Sequence, residues 1–239
     1  MLSIARGELI QLFRNRLVLV TAVVLPVALS AFLVNRHEMF ADLGSLGYIA
    51  ALVLFFVVAI GLYTTTVTTF ASRRQNLFLK RLRSTAAGDA GILAGLLVPI
   101  TVLTLVQLTV ILGVLAAVAG KPSNPVLLVV AVVATVVMML ALGLATAGLT
   151  NSPEHAQVTT LPVTIGVIGV AGWVGVSGTE HLTLLKRLLP GGSATELVLD
   201  AWNGGVPVAR SLILLAPTLA WVIVAIALAT RLFRWEPRR

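Results

Sequence analysis

Four short stretches of this chain carry side chains that could do chemistry. His37-Glu38 has the start of a zinc-protease signature, but position 41, where the second histidine belongs, is Ala. Gly120-Lys121-Pro122-Ser123 has the lysine of a phosphate-binding loop. Position 115 is Leu where the first glycine belongs, and Pro122 stands in place of the Ser or Thr. Ser177, followed by His181, raises a serine protease working inside a membrane, which needs a histidine from another helix at the same depth. His37, His155 and His181 all lie outside the long apolar runs. Glu154-His155 sits at the foot of such a run, where an acid caps a helix N-terminus and matches its dipole. The chain has no Cys, which removes disulfides, thiol catalysis and soft-metal sites. No catalytic set emerges.

A fifth stretch, Ser72 to Gly91, has a chemistry of binding. It holds Arg73, Arg74, Lys80, Arg81 and Arg83 against a single acid, Asp89. Phe78, Leu79 and Leu82 fall at helical spacing and face one way, while Lys80, Arg81, Arg83 and Ser84 cover the rest. The pattern predicts a short amphipathic helix, too short to stand alone in water, so something must pack on it. A solvated basic loop is the plainer reading of the same charges.

The elements that must hold this stretch are membrane helices. Of 239 residues, 58% are hydrophobic and 11% charged, with mean hydropathy +1.03. A soluble domain is nearer half apolar and a quarter charged. Crossing about 30 Å of hydrocarbon takes roughly 20 helical residues. Six runs of that kind are predicted, at about 17–34, 46–71, 92–119, 126–149, 158–176 and 211–230. They are too long for the alternating strands of a β-barrel. The expected fold is therefore an all-α integral membrane protein, a single membrane domain over 1–239. A net charge of +8 invites a nucleic-acid reading, but the basic residues sit at helix ends and form no stripe.

Charge sets the orientation. With the N-terminus inside, the inner segments carry twelve Lys and Arg: Arg6, Arg14, Arg16, the five of the basic stretch, Arg231, Arg234, Arg238 and Arg239. The outer ones carry five: Arg36, Lys121, Lys186, Arg187 and Arg210. Both termini are expected in the cytoplasm. Ala28-Leu29-Ser30 resembles a cleavage site, yet the apolar run continues past it, so an uncleaved first helix is expected.

Taken in order, residues 1–16 place Leu2, Ala5, Leu9, Leu12 and Phe13 on one side and Glu8, Gln11 and Asn15 on the other, an interfacial helix on the inner leaflet. Pro26 should kink the first span, and Asn35–Ser45 reads as a short outer loop. Span two ends in Thr64, Thr65, Thr66, Thr68 and Thr69. These hydroxyls either bond within the bundle, or Thr64, Thr65 and Thr68 line a polar substrate path. Gly91 and Gly95 allow close helix contact, and Gly166, Gly169, Gly172 and Gly175 predict close packing or bending in span five. Between spans five and six, Pro190-Gly191-Gly192 breaks an apolar segment. Ser193 and Glu196 form a capping box for a helix ending near Trp202; two short amphipathic helices dipping into or lying on the outer leaflet are expected here, with Trp202 at headgroup level.

In this layout Leu79-Lys-Arg-Leu-Arg-Ser-Thr85 resembles the coupling-helix segment Leu-Lys-Arg-Leu-Arg-Gly/Ser-Thr-Pro of ABC-2-type exporter permeases. Val176-Ser-Gly178, Leu188-Leu-Pro190 and Ala194–Gly205 are similar to the outer region of the same family, in order and spacing. The departures are specific. No acid stands near the arginines after span two, Asn76 or Leu77 replaces a glycine, and Ala86 replaces the proline.

The resemblance implies a bacterial plasma-membrane half-transporter that pairs with a second permease chain, identical or a sister. Each chain would contact a separate ATP-binding subunit through Phe78, Leu79, Lys80, Arg81, Leu82, Arg83, Ser84 and Thr85, with Phe78, Leu79 and Leu82 carrying most of the energy. ATP and Mg would sit on that subunit, and no cofactor on this chain. Three other classes compete, the last a membrane enzyme, for which no paired acids or nucleophile–base set stand within reach. A secondary transporter needs ionisable residues inside its spans, and these spans have none. A non-transporting assembly protein would show no ATP-dependent transport. The residues do not choose among drugs, lipids, glycans and ions as cargo.

Overall fold

The computed structural model describes residues 2–84, 88–233 and 235, and among them no strand occurs. Helix α1 (Leu2–Arg14) ends at Asn15, whose Oδ1 accepts from Val18 N and starts α2 (Arg16–Leu19). A π-helical turn, Val20–Val24, leads into α3 (Leu25–Asn35). The turn stands just ahead of Pro26, which has no N–H to offer the carbonyl four residues back. That carbonyl, Ala22 O, instead accepts from Gln107 Nε2 of the third span at 3.2 Å. A local π adjustment and a borrowed donor accommodate Pro26 within the span.

The sharp bend comes ten residues later. Helix α4 (His37–Leu43) leaves the first span at 78°, where the sequence reading expected a loop. Phe40 packs edge-on against Phe32 with ring centroids 6.0 Å apart, and His37 Nδ1 lies 2.9 Å from Val34 O. Those contacts give the short segment a reason to stay helical.

The second span is the axis of the bundle. It runs as α5 (Leu46–Phe55), a π stretch Phe56–Tyr63, and α6 (Thr64–Gln75), and nearly all of its upper two thirds is buried. Ser45 Oγ caps it by accepting from Tyr48 N. Gly61 lets it close on the first span, since a Cβ there would stand 3.2 Å from Ala22 O. After α7 (Phe78–Arg83) come α8 (Asp89–Val118), α9 (Pro125–Leu149), α10 (Pro153–Thr159), α11 (Leu161–Ser177), α12 (Thr183–Leu188), α13 (Gly192–Asn203), α14 (Val208–Leu212) and α15 (Leu215–Leu232).

Among the described residues, five helices are long and apolar enough to cross a membrane: 46–75, 89–118, 125–149, 153–177 and 208–232. The bent pair Val20–Asn35 and His37–Leu43 supplies a sixth if taken as one span. Each predicted run is found and lengthened by a few residues. The outward faces are apolar, as acyl chains require: Val98, Val102, Val106, Val110, Val114 and Val118 recur every fourth residue down α8, each about half exposed.

Three expectations are corrected. Helix α13 does not present Trp202 to lipid headgroups. It is inserted among α5, α9, α11 and α15, and Trp202 is buried. Polar ends tie it there: Asn203 bonds Gly47 N and Ser45 Oγ, and Trp202 O accepts from Ser123 N and Oγ. The capping box is also absent, because the helix starts at Gly192 behind a left-handed Gly191. Ser193 Oγ meets Thr218 Oγ1, while Glu196 holds Arg187 through two hydrogen bonds. Of the span-five glycines, Gly175 alone is pressed, against the Tyr48 ring. Gly166, Gly169 and Gly172 have open space where a Cβ would stand.

The Gln107 bridge gives a first prediction. Gln107→Leu deletes the donor to Ala22 O at a buried proline turn, and should cost about 1 kcal/mol of stability in detergent. Thermal unfolding of the purified chain measures it.

Candidate functional site

The end of α6 carries two adjacent arginines that point to different neighbours. Arg73 pairs with Glu8 of α1, Nε to Oε1 at 2.8 Å, and also bonds Gln11 Oε1. Arg74 is almost fully buried. Its guanidinium donates to Ala147 O at 3.0 Å and to Thr150 O, filling the orphan carbonyls at the C-terminus of α9. One turn of chain therefore joins the N-terminal helix, span two and span four.

The pairing also decides how α1 lies. Glu8 and Leu12 are buried against the bundle, and Leu9, Ile10 and Phe13 face out. The sequence pattern sets Leu9, Leu12 and Phe13 on the apolar side of an interfacial helix with Glu8 opposite; in the structure Leu9 and Phe13 stay exposed, and Leu12 joins Glu8 against the bundle. The ion pair with α6 holds the Glu8 side of the helix against the bundle.

Helix α7 follows immediately. Its entry residue, Leu77, sits in the left-handed region at φ 55°, where an L side chain is strained and glycine is free. Leu79 is completely buried in the core of its own chain, and Phe78 and Leu82 are half-buried, with the Arg73 guanidinium 5.2 Å from the Phe78 ring centroid. What α7 shows to solvent is basic: Lys80, Arg81, Arg83 and Ser84 are exposed. Arg81 reaches Asn76 O at 3.2 Å, and Arg83 pairs with Asp89 at 3.0 Å. Thr85 lies outside the described residues.

Beside this helix pair opens a cavity of about 930 Å³. The α1–α2 junction, α6 and the start of α10 form its walls. Thr64, Thr65, Thr68, Thr69 and Ser72 give one wall a ladder of hydroxyls. Thr64 and Thr68 donate back to Ala59 O and Thr64 O at 3.0 and 2.9 Å, which leaves their oxygens as acceptors. Arg14, Arg16, Glu154 and Gln157 line the other sides. Ser152 accepts from His155 N, so Glu154 and His155 do begin a helix as the sequence indicated.

The sequence pattern of the family described as ABC-2 family transporter protein matches residues 16–230. The chain belongs to the ABC-2 transporter family. It is a membrane permease of the ABC transporter class. A comparison with curated proteins finds no match.

For an ABC-2 permease, the layout brings the basic helix and the threonine ladder to the same end of the bundle, on either side of Arg73. Among the described residues, no group of three or more His, Asp or Glu side chains could hold a metal. Sequence reasoning missed Glu8, Arg74 and Lys186. Lys186, counted with the outer-segment charges, is buried; its Nζ bonds Ser177 Oγ at 2.8 Å and Gly178 O at 2.5 Å, and lies 5.0 Å from the Trp173 ring centroid. The signal for Glu8 was present: a lone acid in an amphipathic helix and a basic pair without one.

Proposed function

We propose that this permease forms the translocation path of an ATP-driven bacterial exporter and is moved by a separate ATP-binding subunit docked on α7. The observation that carries it is a member of this family presenting a short, rigidly backed basic helix at the foot of its central span. ATP and Mg belong on the partner, which would press on Lys80, Arg81, Arg83 and Ser84. Leu79 and Phe78, spent within this chain, transmit the push. Arg73 and Arg74 then pass it to α1 and α9 as one rigid unit. A second permease chain, identical or a sister, completes the path, with Thr64, Thr65 and Thr68 on its wall and cargo admitted from the inner leaflet.

In this reading both termini face the cytoplasm and the charge bias of the loops sets that direction. The test is site-specific crosslinking in native membranes. A photoreactive residue at Ser84 should trap a protein with a phosphate-binding loop, and the same residue at Val106, on the lipid face of α8, should not. Equal trapping at both positions, or none at Ser84, overturns the coupling role.

A further inference from the structure

The threonine-lined cavity holds a side chain that its own chain does not satisfy. Thr65 is 3% exposed, lines the cavity, and its Oγ1 has no hydrogen-bond partner. A buried hydroxyl left unpaired costs free energy that a bound ligand would recover. Its neighbours Thr64 and Thr68 have already donated their protons to the backbone, so they offer acceptors only. A ligand at this wall must bring hydroxyl or amine donors.

The opposite wall asks for an anion. Arg14 and Arg16 line the cavity at the α1–α2 junction, both exposed, with no carboxylate partner among the described residues. Arg73 is neutralised by Glu8, which leaves Glu154 as the one acid to set against two arginines. Guanidinium forks match phosphate oxygens. Apolar surface adjoins these charges: Leu12 and Val18 line the cavity, and Leu9, Ile10 and Phe13 of α1 are directed outward. An anionic head with hydroxyls, joined to an apolar tail, satisfies every wall at once.

From this arrangement we infer that the cavity binds the polyol-phosphate headgroup of an anionic membrane lipid, phosphatidylglycerol or a lipid of that chemistry. Arg14 and Arg16 hold the phosphate, Thr65 bonds a headgroup hydroxyl, and Thr64 and Thr68 accept from another. The acyl chains leave along the apolar side of α1. This deepens the permease reading by naming what enters its path, but binding itself needs neither nucleotide nor ATPase.

The experiment uses the purified full-length chain in detergent, without a partner, and reads lipid binding by native mass spectrometry. Phosphatidylglycerol is titrated against phosphatidylcholine, with glycerol phosphate and inorganic phosphate as soluble competitors. The wild type should prefer phosphatidylglycerol, and the Arg14→Gln/Arg16→Gln variant should lose about tenfold in affinity, as expected for two interfacial arginines. Thr65→Val, which keeps the shape and removes the unpaired hydroxyl, should lose severalfold in affinity with its melting temperature unchanged or raised. Equal affinity for the two lipids, or wild-type binding by Thr65→Val, overturns the site. Competition by inorganic phosphate as effective as by glycerol phosphate assigns the site to a free anion and overturns the lipid. Failure of ATP-dependent transport in a reconstituted complex would strike the exporter reading and leave these results untouched.

Discussion

Arg74→Ala should be among the most damaging single changes in this protein, lowering its stability by about 3 kcal/mol. The guanidinium is buried and donates to two carbonyls at the end of α9. Charge-assisted bonds of that kind contribute roughly 1.5–3 kcal/mol each, and removing them leaves carbonyls with no water to turn to. Arg74→Lys should recover less than half of the loss, because one ammonium cannot fork between Ala147 and Thr150. Thermal unfolding of the detergent-solubilised chain decides it. A change below 1 kcal/mol for Arg74→Ala would mean that solvent replaces the bonds and that α6 and α9 are joined by packing alone.

The same arginine shows why some of the fold was legible in the sequence and some was not. The spans were readable because apolar length is a local property: a run such as 126–149 must be a membrane helix whatever surrounds it. Amphipathic direction was less secure. In α1 the apolar side drawn from the sequence stays exposed at Leu9 and Phe13, while Leu12 is buried with Glu8, whose partner Arg73 lies sixty-odd residues away. In α13 the pattern of an interfacial helix is genuine, with polar residues at Asn203 and Asp200, but those groups find partners in Ser45, Gly47 and Ser211. A polar residue whose partner is distant in sequence looks like a surface residue. Lys186 misled for the same reason, since its acceptors are a serine and a carbonyl at the end of the preceding helix.

The candidate site was legible in outline. Thr64, Thr65 and Thr68 were chosen for their hydroxyls near a span end, and the structure places all three on one cavity wall. Only Thr65 proved to lack a partner, a distinction that depends on rotamer and packing and leaves no trace in the residue type. The basic helix was found as well, but its apolar residues were expected to face a partner subunit. Helix α7 has six residues and could not persist without an anchor, so its own chain claims Leu79.

That division of α7 into a buried anchor and an exposed basic face leads to the sharpest contrast between two substitutions. Leu79→Asp introduces a carboxylate at a fully buried position, and by desolvation and lost packing should cost about 3–5 kcal/mol. It would abolish association with an ATP-binding subunit, but only by displacing α7. Arg81→Glu changes an exposed side chain whose one described bond is to Asn76 O, so the fold should hold within about 0.5 kcal/mol. If the docking face is basic, that reversal should weaken co-purification of the ATPase about tenfold at low salt, with the difference shrinking as ionic strength rises. Measured side by side, the two variants separate what the sequence motif conflates. A stable Leu79→Asp protein that fails to bind would return the apolar face to the partner. An Arg81→Glu protein that binds normally would show that the exposed charges of α7 orient nothing.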